Sequence, residues 1–279
     1  MNPDADQYPL SPEQIAQFHD DGWITLPGFL TEAELQPLEQ IYMRFLRREI
    51  AVPGRDYCDM TGDYHKPIED YAILNVMLPR VYHPDLVGNV YERRAAQVTR
   101  QLWGEGFAID YDQFVAKPPG KTDAVFHWHQ DLGYWPITPD TRTASFWLAL
   151  DDVADDNGCV RFVDGSHREA ELRQHLPLQG DRDRNHTLVA AVDPARDRIR
   201  SAVLTRGSVS VHHERTVHGS AGNRSSRWRR GYVVAFRSLA TIAAERALGF
   251  THSHNDATQV LTMIGEQTRR RDLGNGDLA

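Results

Sequence analysis

From residue 107 to about residue 240 the chain reads as one short strand after another, with no helical repeat between them. "FAIDYDQFVAK", "AVFHWHQD", "TASFWLALDD", "GCVRFVDG", "SAVLTRGSVSVHH" and "RRGYVVAF" are rich in Val, Phe, Tyr and Trp and are bounded by Gly, Pro and Asp clusters. A parallel doubly wound sheet needs helical patterns of about 10–15 residues between its strands, so that architecture is excluded. What remains is a sandwich, a barrel or a jelly roll.

Helices precede the strands. Ser11-Pro12-Glu13-Gln14 is a capping box with proline at the first helical position, and Ile15 and Phe18 follow at helical spacing. Thr31 with Glu34 repeats the box ahead of an apolar stripe of Leu35, Leu38, Tyr42 and Phe45. Between the two, "GWITLPGFL" reads as a short strand. A third helix is expected from about Asp85 to Trp103, with Val87, Val90, Tyr91, Ala95, Val98 and Leu102 on one face and Gly104 at its stop. Residues 49–84 read as a long irregular stretch, a length that compact domains keep for binding loops or disorder. Asp59, Tyr64 and His65 within it suit a lid or an ordinary surface loop equally. Arg168 to Arg200 reads as a polar surface excursion, and one or two helices over about 241–268 should precede a flexible tail. The expectation is a single domain over residues 1–279, with a helical part at about 10–104 and a strand core at about 105–240.

Composition narrows the partners. With 31 basic and 39 acidic residues the net charge is −8, which offers no general attraction to nucleic acid or to an anionic membrane. No apolar run approaches the ~20 residues of a membrane span, and the acidic first ten residues hold no secretory pattern. Two cysteines, Cys58 and Cys159, make no disulfide framework in a chain this long. A cytoplasmic protein acting on a small molecule is the expectation.

The 13 histidines are the informative count. In "HWHQDLGYW" strand alternation puts His127, His129 and Asp131 on one face, and polar groups on an aromatic-rich strand invite a metal. Two histidines and a carboxylate on one side of an ion are the ligand set of non-haem Fe(II) oxygenases. An H-x-D pair supplies two of them, and the third must come from elsewhere in the fold. The stretch "HHERTVHGSAGNRSSRWRR" carries His212, His213 and His218, and then a run of arginines. Oxygenases of this class commonly consume 2-oxoglutarate, whose distal carboxylate suits the fixed, bidentate charge of arginine.

Taken together, His129-Gln130-Asp131, the strand and turn "SFWLALDDVADDNGCVRFVDGSH", and His218 with Ser220 and Arg229 resemble the phytanoyl-CoA dioxygenase family, which includes ectoine hydroxylase. The likeness runs over about residues 10–240; Asp164 stands where the family usually has proline. The resemblance implies a mainly β fold with flanking helices around a double-stranded β-helix, a cupin-like jelly roll. It implies His129, Asp131 and His218 as Fe(II) ligands, and Arg229 with Ser220 on 2-oxoglutarate. Gln113 and Thr143 are further co-substrate candidates, with Lys117 a competing choice. The implied reaction, with O2 as the other co-substrate, is hydroxylation of an unactivated C–H bond of a small metabolite, releasing succinate and CO2. Asp131 fills the position a halide would need, which argues against halogenation. Tyr134 and Trp135, just after the metal motif, are candidates for contact with substrate.

Plainer readings stand beside these. His127 could replace His129 in an H-x-H pair, though packing suits it better; His167 reads as part of a structural turn; His213 fits the downstream spacing less well than His218. Arg227 shares a strand face with Arg229 and rivals it, whereas Arg230 faces away and suits a solvated edge strand. The alternative function is a cupin-type metal enzyme, an isomerase or dioxygenase, that makes no use of 2-oxoglutarate.

Overall fold

The computed structural model describes residues 6–61, 64, 66–178 and 187–256. Its helices are α1 (Pro12–Asp21), α2 (Glu32–Leu46), α3 (Pro79–Tyr82), α4 (Val90–Trp103) and α5 (Leu239–Ala247). The strands are β1 (Trp23–Leu26), β2 (Tyr57–Asp59), β3 (Leu74–Met77), β4 (Phe107–Lys117), β5 (Phe126–His129), β6 (Thr143–Ala149) and β7 (Val160–Val163). They continue with β8 (His175–Pro177), β9 (Leu188–Ala190), β10 (Ile199–Ser201), β11 (Val209–His212), β12 (His218–Ser220) and β13 (Arg229–Ser238).

Two antiparallel sheets form a jelly roll. The larger has the order β1-β11-β6-β13-β4-β3-β2, and the smaller β10-β7-β12-β5. Period-two alternation along β13 decides both faces of the large sheet. Tyr232, Val234 and Phe236 join Phe114 and Phe146 against Phe18, Leu35, Tyr42, Phe45 and Val98 of the helices. Val233 and Ala235 point inward with Tyr111, Val115 and Trp147, toward Phe162 of the small sheet. The two N-terminal boxes cap α1 and α2 as their sequences require, Ser11 with Gln14 and Thr31 with Glu34.

Several expectations change. Residues 49–84 are not a loop throughout: β2 and β3 extend the large sheet beyond β4, and Asp59 anchors the turn between them by accepting from the backbone of Ala72 and Ile73 and from Lys66. Asp59 is buried, and His65 lies outside the described residues. The third helix starts at Val90, because Gly88 takes a left-handed φ of 72° and Asn89 caps the first turn; Val87 is exposed ahead of it. The excursion after Arg168 holds the β8–β9 hairpin, whose His175 Nε2 accepts from the Gln130 backbone. "RWRR" is no edge: β13 is central, and Arg230 pairs with Asp151 and Glu39. Asp164, the departure from proline, accepts from Trp23 Nε1 at 2.8 Å and pairs with Arg200 at 2.6 Å. Of the C-terminal helices α5 is present, and the proposed second one and the tail lie outside the described residues. No helix among the described residues is long and apolar enough to cross a membrane.

Candidate active site

Strand pairing brings the distant histidine to the H-x-D motif. His218 on β12 lies directly across from His129 on β5, with ring centroids 4.3 Å apart. Asp131 is not on the strand; it opens a 3-10 turn, Asp131–Gly133, that swings its carboxylate back over both rings. Asp131 Oδ1 is 3.5 Å from His129 Nε2 and 3.5 Å from His218 Nε2. The β5–β12 register shifts between His218 and Ser220, so three steps on β5 oppose two on β12. This bulge breaks the simple alternation expected for "FHWH". Phe126 and His129 both face inward, and His127 is left half-buried outside the ligand set.

The donor set fits a divalent metal. His129 Nδ1 lies 2.7 Å from the His127 carbonyl and His218 Nδ1 lies 2.8 Å from that of Thr216. A carbonyl only accepts, so each Nδ1 carries the proton and each Nε2 presents its lone pair. Burial and the nearby His129 push His218 well below its ordinary pKa, keeping it the neutral imidazole that a metal needs. His129, Asp131 and His218 place one ligand atom each within 4.8 Å of the others.

Two residues beyond His218, a second group of buried polar side chains begins. Ser220 Oγ accepts from Lys117 Nζ at 2.6 Å, and Lys117 pairs across the sheet with Arg229. Lys117 also donates to the Ala221 carbonyl, and burial pushes its ammonium well below the usual range. Arg229 is 1 % exposed. Among the described residues its guanidinium meets no carboxylate and no hydrogen-bond acceptor, and its Nε is buried without a partner. Burial pulls its pKa down to about 10. It rests against Trp147, its Cζ 4.4 Å from the ring centroid, and Gly231 makes room for that ring. A buried guanidinium with no carboxylate partner among the described residues, beside a buried lysine amine that donates hydrogen bonds, makes a receptor for an anion.

The remaining candidates fall in different places. Gln113 shares the inner face of β4 with Lys117, and its amide donates to Asn75. Thr143 is set apart: it pairs with Arg237 at the opposite end of β13 from Arg229, and its hydroxyl is taken by Glu214. Tyr134 lies edge-on to His129 at 5.6 Å, with its hydroxyl accepting from the Leu188 backbone. Trp135 is buried under Arg237, whose Cζ stands 4.5 Å above its ring. Arg227 is exposed and paired with Asp156, which removes it as a rival to Arg229. His213 and His167 pack against each other, and His167 Nε2 meets the His19 carbonyl.

Asp110, Glu245 and His252 also cluster within metal-ligand distance. Arg237 bonds both carboxylates and Arg246 bonds Asp110, so this group already has its cations and is a structural network. Sequence reasoning passed over Trp147 and named His212 beside His218 without giving it a role. Both alternate with outward apolar residues, Phe146 and Val211, so the same period that faced β13 would have turned them inward.

A jelly roll that gathers two histidines and an aspartate, and buries an arginine besides, is the architecture of the non-haem Fe(II)/2-oxoglutarate-dependent oxygenases. The family model for phytanoyl-CoA dioxygenase matches residues 18–231, and the chain belongs to that family. It is 25 % identical over 232 residues to a probable alpha-ketoglutarate-dependent hypophosphite dioxygenase of Stutzerimonas stutzeri, covering 80 % of this chain and 77 % of that one. EvdO2 from Micromonospora carbonacea var. aurantiaca, solved with 2-oxoglutarate, superposes with a TM-score of 0.68 at 26 % identity, covering 83 % of this chain and 92 % of the other. EctD from S. alaskensis, solved with 2-oxoglutarate and 5-hydroxyectoine, shares the fold at 20 % identity, with a TM-score of 0.67 over 86 % of this chain and 79 % of the other.

Proposed function

We propose that His129, Asp131 and His218 hold Fe(II), and that Arg229, with Ser220 and Lys117 beside it, receives the distal carboxylate of 2-oxoglutarate. Arg229 carries this reading, because a fully buried guanidinium that meets no anion among the described residues is costly unless a ligand supplies one. Iron bound at the triad supplies the activation of O2 that couples conversion of 2-oxoglutarate to succinate and CO2 with hydroxylation of a C–H bond. The chain binds and aims. The carbonyls of His127 and Thr216 fix the tautomers of the two histidines. Lys117 and Trp147 shape the floor on which Arg229 lies, and Gln113 lines the inner face between.

The substrate is a small, polar molecule, with Tyr134 at the border of its site and the described elements working as one oxygenase unit. Trp135 is held by Arg237 and supports the wall from behind. The test is release of succinate from 2-oxoglutarate by aerobic, Fe(II)-loaded protein. The account expects slow release without substrate, acceleration by a matching polar metabolite, and loss of both in Asp131→Ala. Succinate release that survives Asp131→Ala would overturn it.

A further inference from the structure

A third histidine reaches the triad without joining it. His212, the last residue of β11, is buried with its Nε2 3.2 Å from Asp131 Oδ2 and its ring 4.4 Å from that of His218. Its hydrogen-bonding is the reverse of that of the two ligands. His129 and His218 give their Nδ1–H to backbone carbonyls, whereas the Nδ1 of His212 is buried with no partner among the described residues. Among the described residues the ring's one polar contact is the carboxylate, which when ionised only accepts, so the proton sits on Nε2 and points at Oδ2. An imidazole whose Nε2 carries hydrogen has no lone pair there for a metal. The two oxygens of Asp131 thus have different partners: Oδ1 faces the two ligand nitrogens, and Oδ2 faces His212.

We infer that His212 is a positioning residue that holds Asp131 to the metal through Oδ1 alone. The inference rests on the reading of His129, Asp131 and His218 as the metal site, and assigns to His212 the role of keeping Oδ2 away from it. An aspartate free to turn would bring both oxygens to the ion and fill a position that co-substrate or oxygen needs. Packing holds the donor rigidly: the His212 ring lies 5.4 Å from Phe162, and its residue pairs with Trp23 on one side and Ser145 on the other.

The experiment is a Co(II) titration of the full chain without 2-oxoglutarate, read by d–d absorption, in the native protein, His212→Leu and His212→Gln. Leucine fills the space and donates nothing; the glutamine amide nitrogen can reach Oδ2 and donate. Loss of a partner to a ligating carboxylate typically weakens metal binding by about 10–100-fold, and that is expected of His212→Leu. His212→Gln should recover most of the affinity and the native cobalt spectrum, and both variants should keep the native circular dichroism. Native affinity in His212→Leu would overturn the inference. Equal weakening in His212→Gln would also overturn it, since packing or direct ligation would then be the role of the ring. Failure of the native protein to bind Co(II) would overturn the metal site itself, an outcome distinct from either.

Discussion

Replacing Arg229 with methionine should move stability and co-substrate affinity in opposite directions. The guanidinium is enclosed and has no counter-ion among the described residues, and burial depresses its pKa from 12.5 to about 10. At about 1.4 kcal/mol per pKa unit, holding that charge costs the ligand-free protein on the order of 3 kcal/mol. The Trp147 ring beneath it returns about 0.5–2 kcal/mol through cation–π attraction. Methionine fills much of the same space without charge. The ligand-free variant should therefore melt at the native temperature or a few degrees above it, at about 2–4 °C per kcal/mol for a chain of this size. Binding should suffer instead. Leaving one member of a buried ion pair alone costs about 3–5 kcal/mol, which is about 10²- to 10⁴-fold in affinity for 2-oxoglutarate. The assay is thermal melting of Mn(II)-loaded protein against 2-oxoglutarate. At a hundred times the native Kd the native protein should gain about 2.7 kcal/mol, and the variant almost nothing. A variant that is severely destabilised without ligand, yet still stabilised by 2-oxoglutarate like the native protein, would refute the reasoning.

Other predictions follow from the same geometry. Arg227→Ala removes only an exposed pair with Asp156, so stability and 2-oxoglutarate affinity should stay within about 0.5 kcal/mol of native in the same melts. Gly231→Ala would set a Cβ 2.1 Å from Trp147 Cζ2; the ring must shift off Arg229, with about 1–3 kcal/mol lost in urea unfolding and a raised KM for 2-oxoglutarate. Burial raises the Asp112 carboxyl from 3.8 to about 8, so its folded form binds the proton more tightly than the unfolded chain does. Its contribution to stability is complete below pH 3.8 and is lost as pH rises through about 8, with a slope approaching about 1.4 kcal/mol per pH unit. Asp112→Asn should flatten that slope between pH 5 and 8 in urea melts; parallel curves for the two proteins would contradict it.

What was legible in the sequence was local or periodic. The Ser11 and Thr31 boxes are complete within four residues each, and the alternation of β13 states both of its faces. Features set by distant pairing were hidden. β2 and β3 are short, and only the exposed edge of β4 makes strands of them. The bulge on β5 depends on where His218 and Ser220 fall on the opposing strand, so "FHWH" alone could not say which histidine turns inward. Thr143 lies on an inward position as alternation would have it, but distance along the strand, which motif spacing does not carry, takes it to Arg237. His212 was named beside His218 but given no role, although its place at the end of β11 turns it inward.

The most direct test of the account is an anaerobic titration of Fe(II)-loaded protein with 2-oxoglutarate, watching for the weak visible absorption of a keto acid chelated to iron. The account predicts a saturating band in the native protein, a band that needs far more 2-oxoglutarate in Arg229→Ala, and no band in His129→Ala. A native protein that binds iron and shows no band at any concentration would contradict it.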